Sequence, residues 1–155
     1  MAVAVHVRAA GPDDAPAVLA MWARARSQNA STPDTAEAVD RLLATDPGAL
    51  LVAERDGAIV GALIAAWDGW RGNMYRLAVD AGHRRLGVAL ALVRAGERRL
   101  AGCGARRITA LVAHGDGPVA SGRLHARHDD RAVRQTARRL ARQQSGAGRS
   151  RGRPR

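Results

Sequence analysis

The chain has 155 residues, 46% of them hydrophobic, and a formal net charge of +11, yet only 3% are aromatic and Phe is absent. That length suits one domain with a real core, which Ala, Val and Leu must pack. A single cysteine, Cys103, excludes an intrachain disulfide, and no apolar run approaches the ~18 residues of a membrane helix, so no membrane association is expected. The charge invites a nucleic-acid reading, but it is unevenly placed. Residues 1–120 carry 14 Arg against 12 acidic residues, whereas residues 121–155 carry 11 Arg against 2, and Lys is absent throughout. The body is close to neutral and the basicity belongs to the C-terminal stretch. Residues 1–8 are too short for the apolar segment of a signal peptide, so a cytoplasmic protein is the expectation.

In chain order, Val3, Val5 and Val7 alternate with Ala4, His6 and Arg8, which predicts a strand. Gly11-Pro12-Asp13-Asp14 marks a helix start, because Pro suits the first helical position and acids suit the first turn. Val18, Leu19 and Trp22 form the buried stripe of that helix. Ser31-Thr32-Pro33-Asp34 reads as a second helix start, with Ala36, Val39, Leu42 and Leu43 turned inward and Pro47-Gly48 as its end. A strand over 49–55, the turn Asp56-Gly57 and a longer, almost wholly apolar strand over 58–67 make a hairpin whose second strand should be central. A loop over 68–73 leads to a strand over 74–79. Ala89, Leu92, Val93, Gly96 and Leu100 then recur at helical spacing beneath an Arg-rich outer face. Gly102 and Gly104 stop that helix, and a strand follows over 107–113. The alternation predicts an α/β fold. Beyond Gly115 the pattern weakens. Residues 121–142 read as an Arg-rich helix with too few apolar positions for a stripe, and 143–155 as a disordered Arg/Gly/Ser tail.

The stretch that organises the chain is Leu77-Ala78-Val79-Asp80-Ala81-Gly82-His83-Arg84-Arg85-Leu86-Gly87-Val88-Ala89. It joins a strand to a helix through side-chain cations, a glycine and the first N–H groups of the helix, which lack intrahelical partners. With the helix dipole, these favour an anion. A pyrophosphate-bearing ligand is the first expectation.

Arg84-x-x-Gly87-x-Ala89 resembles the Arg/Gln-x-x-Gly-x-Gly/Ala motif of the GNAT N-acetyltransferase family. The context agrees: a strand before, a helix after, another strand from Arg107, and the opening Val7-Arg8-Ala9-Ala10 with Pro12-Asp13-Asp14-Ala15. Trp67-Asp68-Gly69-Trp70-Arg71-Gly72 followed by Tyr75 is similar to a subgroup of small bacterial members. The resemblance covers residues 3–116 as a GNAT-like acetyl-CoA-binding domain. Residues 117–142 are then an altered C-terminal part of the same domain, and 143–155 the tail. The resemblance implies a mixed, mostly antiparallel central sheet flanked by helices, with an irregular C-terminal part. It also implies acetyl-CoA as co-substrate, its pyrophosphate on the amides of Leu86, Gly87, Val88 and Ala89, with Arg84 and Arg85 adding charge. The pantetheine arm would lie along Leu77, Ala78 and Val79, and an amide near Ala78 or Val79 would polarise the thioester carbonyl. The acetyl group would pass by direct attack to a primary amine of a small molecule or peptide.

After the strand from Arg107 the family carries Asn-x-x-Ala-x-x-Phe/Leu-Tyr-x-x-x-Gly-Phe/Tyr. Here Asp116 stands for the cofactor-side Asn and Val119 for the Ala. Gly122-Arg123 takes the place of the aromatic pair, and Arg127-His128 that of the Gly-aromatic pair. Arg123 does not replace a tyrosine acid, since a guanidinium stays protonated with a pKa above ~12. A shifted reading frame in GC-rich DNA yields runs of this Ser121-Gly122-Arg123 character, and resequencing the gene tests that origin. The catalytic acid and base are therefore unassigned. Tyr75 is a candidate to order water or line the acceptor site, and Trp67, Asp68 and Trp70 are candidates to shape the acceptor pocket. His125-x-x-His128 with Asp129 brings no further ligands, so no metal is expected. An acyl-CoA-binding protein with impaired catalysis is the alternative. A basic-tail nucleic-acid binder is weaker still, because the tail has no aromatic residues for stacking. A homodimer is compatible with all of this.

Overall fold

The structure, a computed structural model, describes residues 4–25, 33–112 and 120–125. The chain runs β1 (His6–Ala9), α1 (Ala15–Ala25), α2 (Ala36–Thr45), β2 (Leu50–Arg55), β3 (Ala58–Trp67), β4 (Gly72–Val79), α3 (Val88–Gly102), β5 (Arg107–Val112) and β6 (Ala120–His125). The six strands form one sheet in sequence order. Every pairing is antiparallel except β4–β5, where the crossover through α3 makes the neighbours parallel. This is the mixed, mostly antiparallel sheet that the resemblance implies.

Local chemistry explains the main elements. Asp56 and Gly57, with φ of 51° and 76°, make the left-handed two-residue turn whose twist suits a β-hairpin, and it joins β2 to β3. Central β3 is buried from Val60 to Ala65, as its apolar run predicts. Alternation along the strands sends side chains into two layers. On one face Val18, Met21 and Trp22 of α1 and Val39 of α2 meet Leu50, Val52, Ala62, Ile64 and Ala78. On the other, Val88, Leu92, Val93 and Leu100 of α3 meet Leu51, Ala53, Leu63, Ala65, Met74 and Val79. The helix α3 lies close on the sheet because glycine fills the contact points: a Cβ on Gly61 would stand 2.9 Å from Val88 Cγ1.

Two expectations change. The second helix begins at Ala36 rather than at Ser31-Thr32, because Thr35 is the residue whose hydroxyl accepts an N–H, that of Ala38 at 3.2 Å. Residues 121–142 do not form a helix over their described part. Instead β6 pairs with β5 from Arg107 opposite His125 to Val112 opposite Ala120, so Gly122 and Arg123 stand across from Ala110 and Thr109. A stretch without an apolar stripe has no face with which to dock a helix, whereas the edge of β5 offers backbone pairing that needs none. Asp116, the rest of 117–142 and the 143–155 tail lie outside the described residues. Among the described residues, no helix is long and apolar enough to cross a membrane.

Candidate active site

The site begins where β4 leaves β5. The two strands pair only at Gly72, Asn73 and Met74, opposite Ile108, Thr109 and Ala110. With β3, β4 pairs through to Val79, but the register slips: Ile64 faces Tyr75, and Ala62 faces Ala78. One extra residue therefore lies in β4 between Tyr75 and Ala78, a β-bulge that bends the strand and sharpens its twist. Arg76 within it is in the left-handed region, with φ 58°. Leu77, Ala78 and Val79 follow the bulge, in the part of β4 beyond the pairing with β5.

Val79 leads into a short turn capped by Asp80, whose carboxylate accepts the Gly82 N–H at 3.2 Å and pairs with Arg24 of α1 at 3.2 Å. The Gly82 bond, and then Arg24, hold that carboxyl below the usual range. Beyond it, Arg85 has φ 65° and Gly87 has φ 84°. Positive φ on either side of Leu86 is the backbone feature from which anion-taking nests of N–H groups are built, and it lies directly before the first turn of the 15-residue α3. Arg84 Nε donates to the Val79 carbonyl at 3.4 Å and so braces the loop on the end of β4. Arg85, Leu86 and Gly87 are exposed, while Val88 is buried beneath them. A Cβ on Gly87 would meet nothing within 4 Å, so the space beside it is open. His83 Nδ1 is buried without a hydrogen bond, 3.9 Å from Asp80 Oδ1. This exposed turn brings Arg84 and Arg85 to the head of α3, beside the first N–H groups of that helix. Residues 77–79 and 84–89 thus meet at one end of β4.

The remaining candidates lie elsewhere. Tyr75 immediately precedes the bulge, half-buried against the α1 and α2 layer. Burial first, and then the negative charge of Asp46, push its phenol up, so at neutral pH it keeps its proton. Trp67, Asp68 and Trp70 belong to the β3–β4 hairpin, at the far end of the eight-residue β4, roughly 23 Å from its last residue at a rise of about 3.3 Å per residue. Asp68 caps that turn: its Oδ1 accepts the Arg71 and Trp70 N–H groups at 2.7 and 2.8 Å. Those bonds, Arg71 first, hold its carboxyl below the usual range. Trp70 is 83% exposed, and half-buried Trp67 donates its backbone N–H to Asp46 at 3.1 Å. Among the described residues, no group of three or more His, Cys, Asp or Glu could hold a metal ion. Sequence reasoning misses Arg76, Asp34 and Arg24, since left-handed backbone at an Arg and ion pairs between distant segments leave no local pattern.

Residues 16–128 match the Acetyltransferase (GNAT) family. The chain is 35% identical over 111 residues to an acetyltransferase of Pectobacterium atrosepticum, covering 70% of this chain and 76% of that one. It is 33% identical over 108 residues to an acetyltransferase of Photorhabdus laumondii, covering 70% and 75%. A solved GNAT family acetyltransferase from Brucella melitensis, in complex with acetyl-CoA, superposes with a TM-score of 0.62 at 26% identity, covering 79% of this chain and 88% of that one. The bulged strand, the turn and α3 all fall inside the matched residues, and the chain belongs to the GNAT family of acetyltransferases.

Proposed function

We propose that this acetyltransferase moves the acetyl group of acetyl-CoA to a primary amine of a small molecule or peptide by direct attack. The observation that carries the reading is the meeting, at one end of β4, of a strand that has parted from β5 and an exposed turn at the head of α3. The N–H groups of Leu86, Gly87, Val88 and Ala89 would take the pyrophosphate, with Arg84 and Arg85 supplying positive charge. Leu77, Ala78 and Val79 would run beside the pantetheine arm, and an N–H at Ala78 or Val79 would face the thioester carbonyl. Donors preorganised toward developing charge are often worth about 3 kcal/mol in the transition state.

The acceptor amine must lose its proton before it attacks, which is easier for an α-amine with a pKa near ~8 than for a lysine near ~10.4. As the N–C bond forms and the C–S bond breaks, the departing thiolate needs a proton. Tyr75, which keeps its own at neutral pH, is the candidate donor, directly or through water. Trp67, Asp68 and Trp70, at the hairpin end of β4, are too far from Ala78 and Val79 to touch an acceptor at the reacting carbonyl and take no part in this reading. Acetyl-CoA at millimolar concentration should raise the thermal midpoint, and thiol should be released when a panel of amines is offered. No shift in the midpoint sinks the reading. A shift without thiol release from any amine supports the alternative, an acyl-CoA-binding protein.

A further inference from the structure

Arg76 holds a left-handed conformation, φ 58°, that costs a residue with a Cβ roughly 1–2 kcal/mol. Such conformations persist where the surroundings over-determine them, and they concentrate at active sites. The other non-glycine residues with positive φ, Asp56 and Arg85, are exposed turn residues; Arg76 alone among the described ones lies within a strand. Three constraints meet on it. The β3 ladder grips the bulge on both sides, at Tyr75 and at Ala78. Its guanidinium is ion-paired with Asp34, just ahead of α2, and the two side chains are only 28% and 15% exposed. The same guanidinium lies 5.1 Å from the ring centroid of Trp22, within cation–π range, and Trp22 is buried in α1. One side chain therefore ties both helices of that layer to the bulge.

We infer that Asp34, with Trp22, is a positioning residue for acetyl transfer, acting through Arg76 to fix the direction of the peptides that follow the bulge. The inference rests on the reading of Leu77 to Val79 given under Proposed function. Faces alternate along a strand, so erasing the bulge would swap Ala78, buried toward α1, with Val79, buried toward α3. The core forbids that swap. Losing the clamp therefore leaves the bulge in place but lets its peptides sample a wider range of angles, and a donor aimed at the reacting carbonyl is misaimed for part of the time. Pyrophosphate binding at 84–89 is a separate contact. The defect belongs to kcat and not to the KM for acetyl-CoA.

The test uses the full chain, acetyl-CoA and the amine of the panel that the wild type turns over fastest. Asp34→Asn keeps the shape and removes the charge; kcat should fall by about tenfold to a hundredfold, as small misplacements do, while the KM for acetyl-CoA stays within about threefold. The thioester C=O stretch of bound, isotope-labelled acetyl-CoA should shift back toward its value in solution. Arg76→Gly, which takes left-handed backbone without strain but has no clamp, should show the same pattern and serves if Asp34→Asn does not fold. Wild-type kcat and an unshifted carbonyl, even with a lowered thermal midpoint, would mean a merely structural ion pair and overturn the inference alone. A raised KM with unchanged kcat overturns it as well. Failure of the wild type to bind acetyl-CoA overturns both the inference and the function it rests on.

Discussion

Arg8 donates to both oxygens of Asp14, at 2.7 and 2.9 Å, and through Nε to Glu54 at 2.9 Å, while Asp14 also accepts the Gly11 N–H at 2.8 Å. The cluster ties β1 to β2 and to the turn that opens α1. The Arg8 bonds above all, and then the Gly11 N–H, lower the Asp14 carboxyl from 3.8 to about 2. Because the folded carboxyl is the stronger acid, the unfolded chain binds more protons between those values. The pair's contribution is thus complete above about pH 4 and is lost as the pH falls through about 2. Arg8 is partly exposed, so solvent screening reduces the contribution to on the order of 1 kcal/mol. Asp14→Asn should lower the unfolding free energy by that amount at neutral pH, and the gap to the wild type should close near pH 2. Urea titrations at the two pH values measure both numbers. An equal gap at both would show that the effect comes from packing and not from charge.

Whole elements were legible where one period dominates, and α3 is the clearest. Ala89, Leu92, Val93, Gly96 and Leu100 predict its face, and the structure buries Leu92, Val93, Gly96 and Leu100 against the sheet. The turn at its head is legible too, because Arg84-x-x-Gly87 combines charge with a residue suited to positive φ. The β4 bulge is not, since the residues that meet on it, Arg76, Asp34 and Trp22, come from segments far apart in the chain and leave no local pattern. Nor is β6, where Gly122 and Arg123 carry no strand signal and backbone pairing with β5 decides the outcome. The seating of α3 gives a contrast between two glycines. A Cβ on Gly96 would come to 3.0 Å from Leu63 Cδ2 and 3.1 Å from Met74 Cε, both ends of flexible side chains, and to 3.3 Å from Ala65 Cβ, a contact that α3 relieves by a shift of a few tenths of an ångström. Alanine in a helix regains about 1 kcal/mol over glycine, so Gly96→Ala should be close to neutral. On Gly61 the Cβ would meet Val88 Cγ1 at 2.9 Å and the Ala78 carbonyl oxygen at 3.2 Å, a β-branched side chain and backbone that cannot yield cheaply. Gly61→Ala should cost about 1–3 kcal/mol by overpacking. It should also weaken acetyl-CoA binding, because it pushes the first residue of α3 away from β4. Denaturation and calorimetry on the two variants separate these effects, and equal losses in both would refute the contrast.

For the molecule as a whole, the question is which positive charges meet the polyanionic co-substrate. The sequence carries +9 of its +11 after residue 120, and residues 143–155 contain four Arg and no acid. Net charge alone would make the tail the phosphate binder. Local geometry favours another place: the backbone around Arg85 and Gly87, beside the Arg84 side chain, would take the diphosphate at the head of α3, where the first N–H groups of the helix lack intrahelical partners. A ligand that binds only the folded chain stabilises it by about 2.7 kcal/mol at a hundredfold excess over Kd. Deleting residues 143–155 should leave that stabilisation by acetyl-CoA unchanged. The same deletion should weaken the retention of DNA at low salt, which depends on the number of phosphates neutralised. If the deletion removed the acetyl-CoA effect instead, the diphosphate site would belong to the tail, and the positive φ at the head of α3 would mark only a turn.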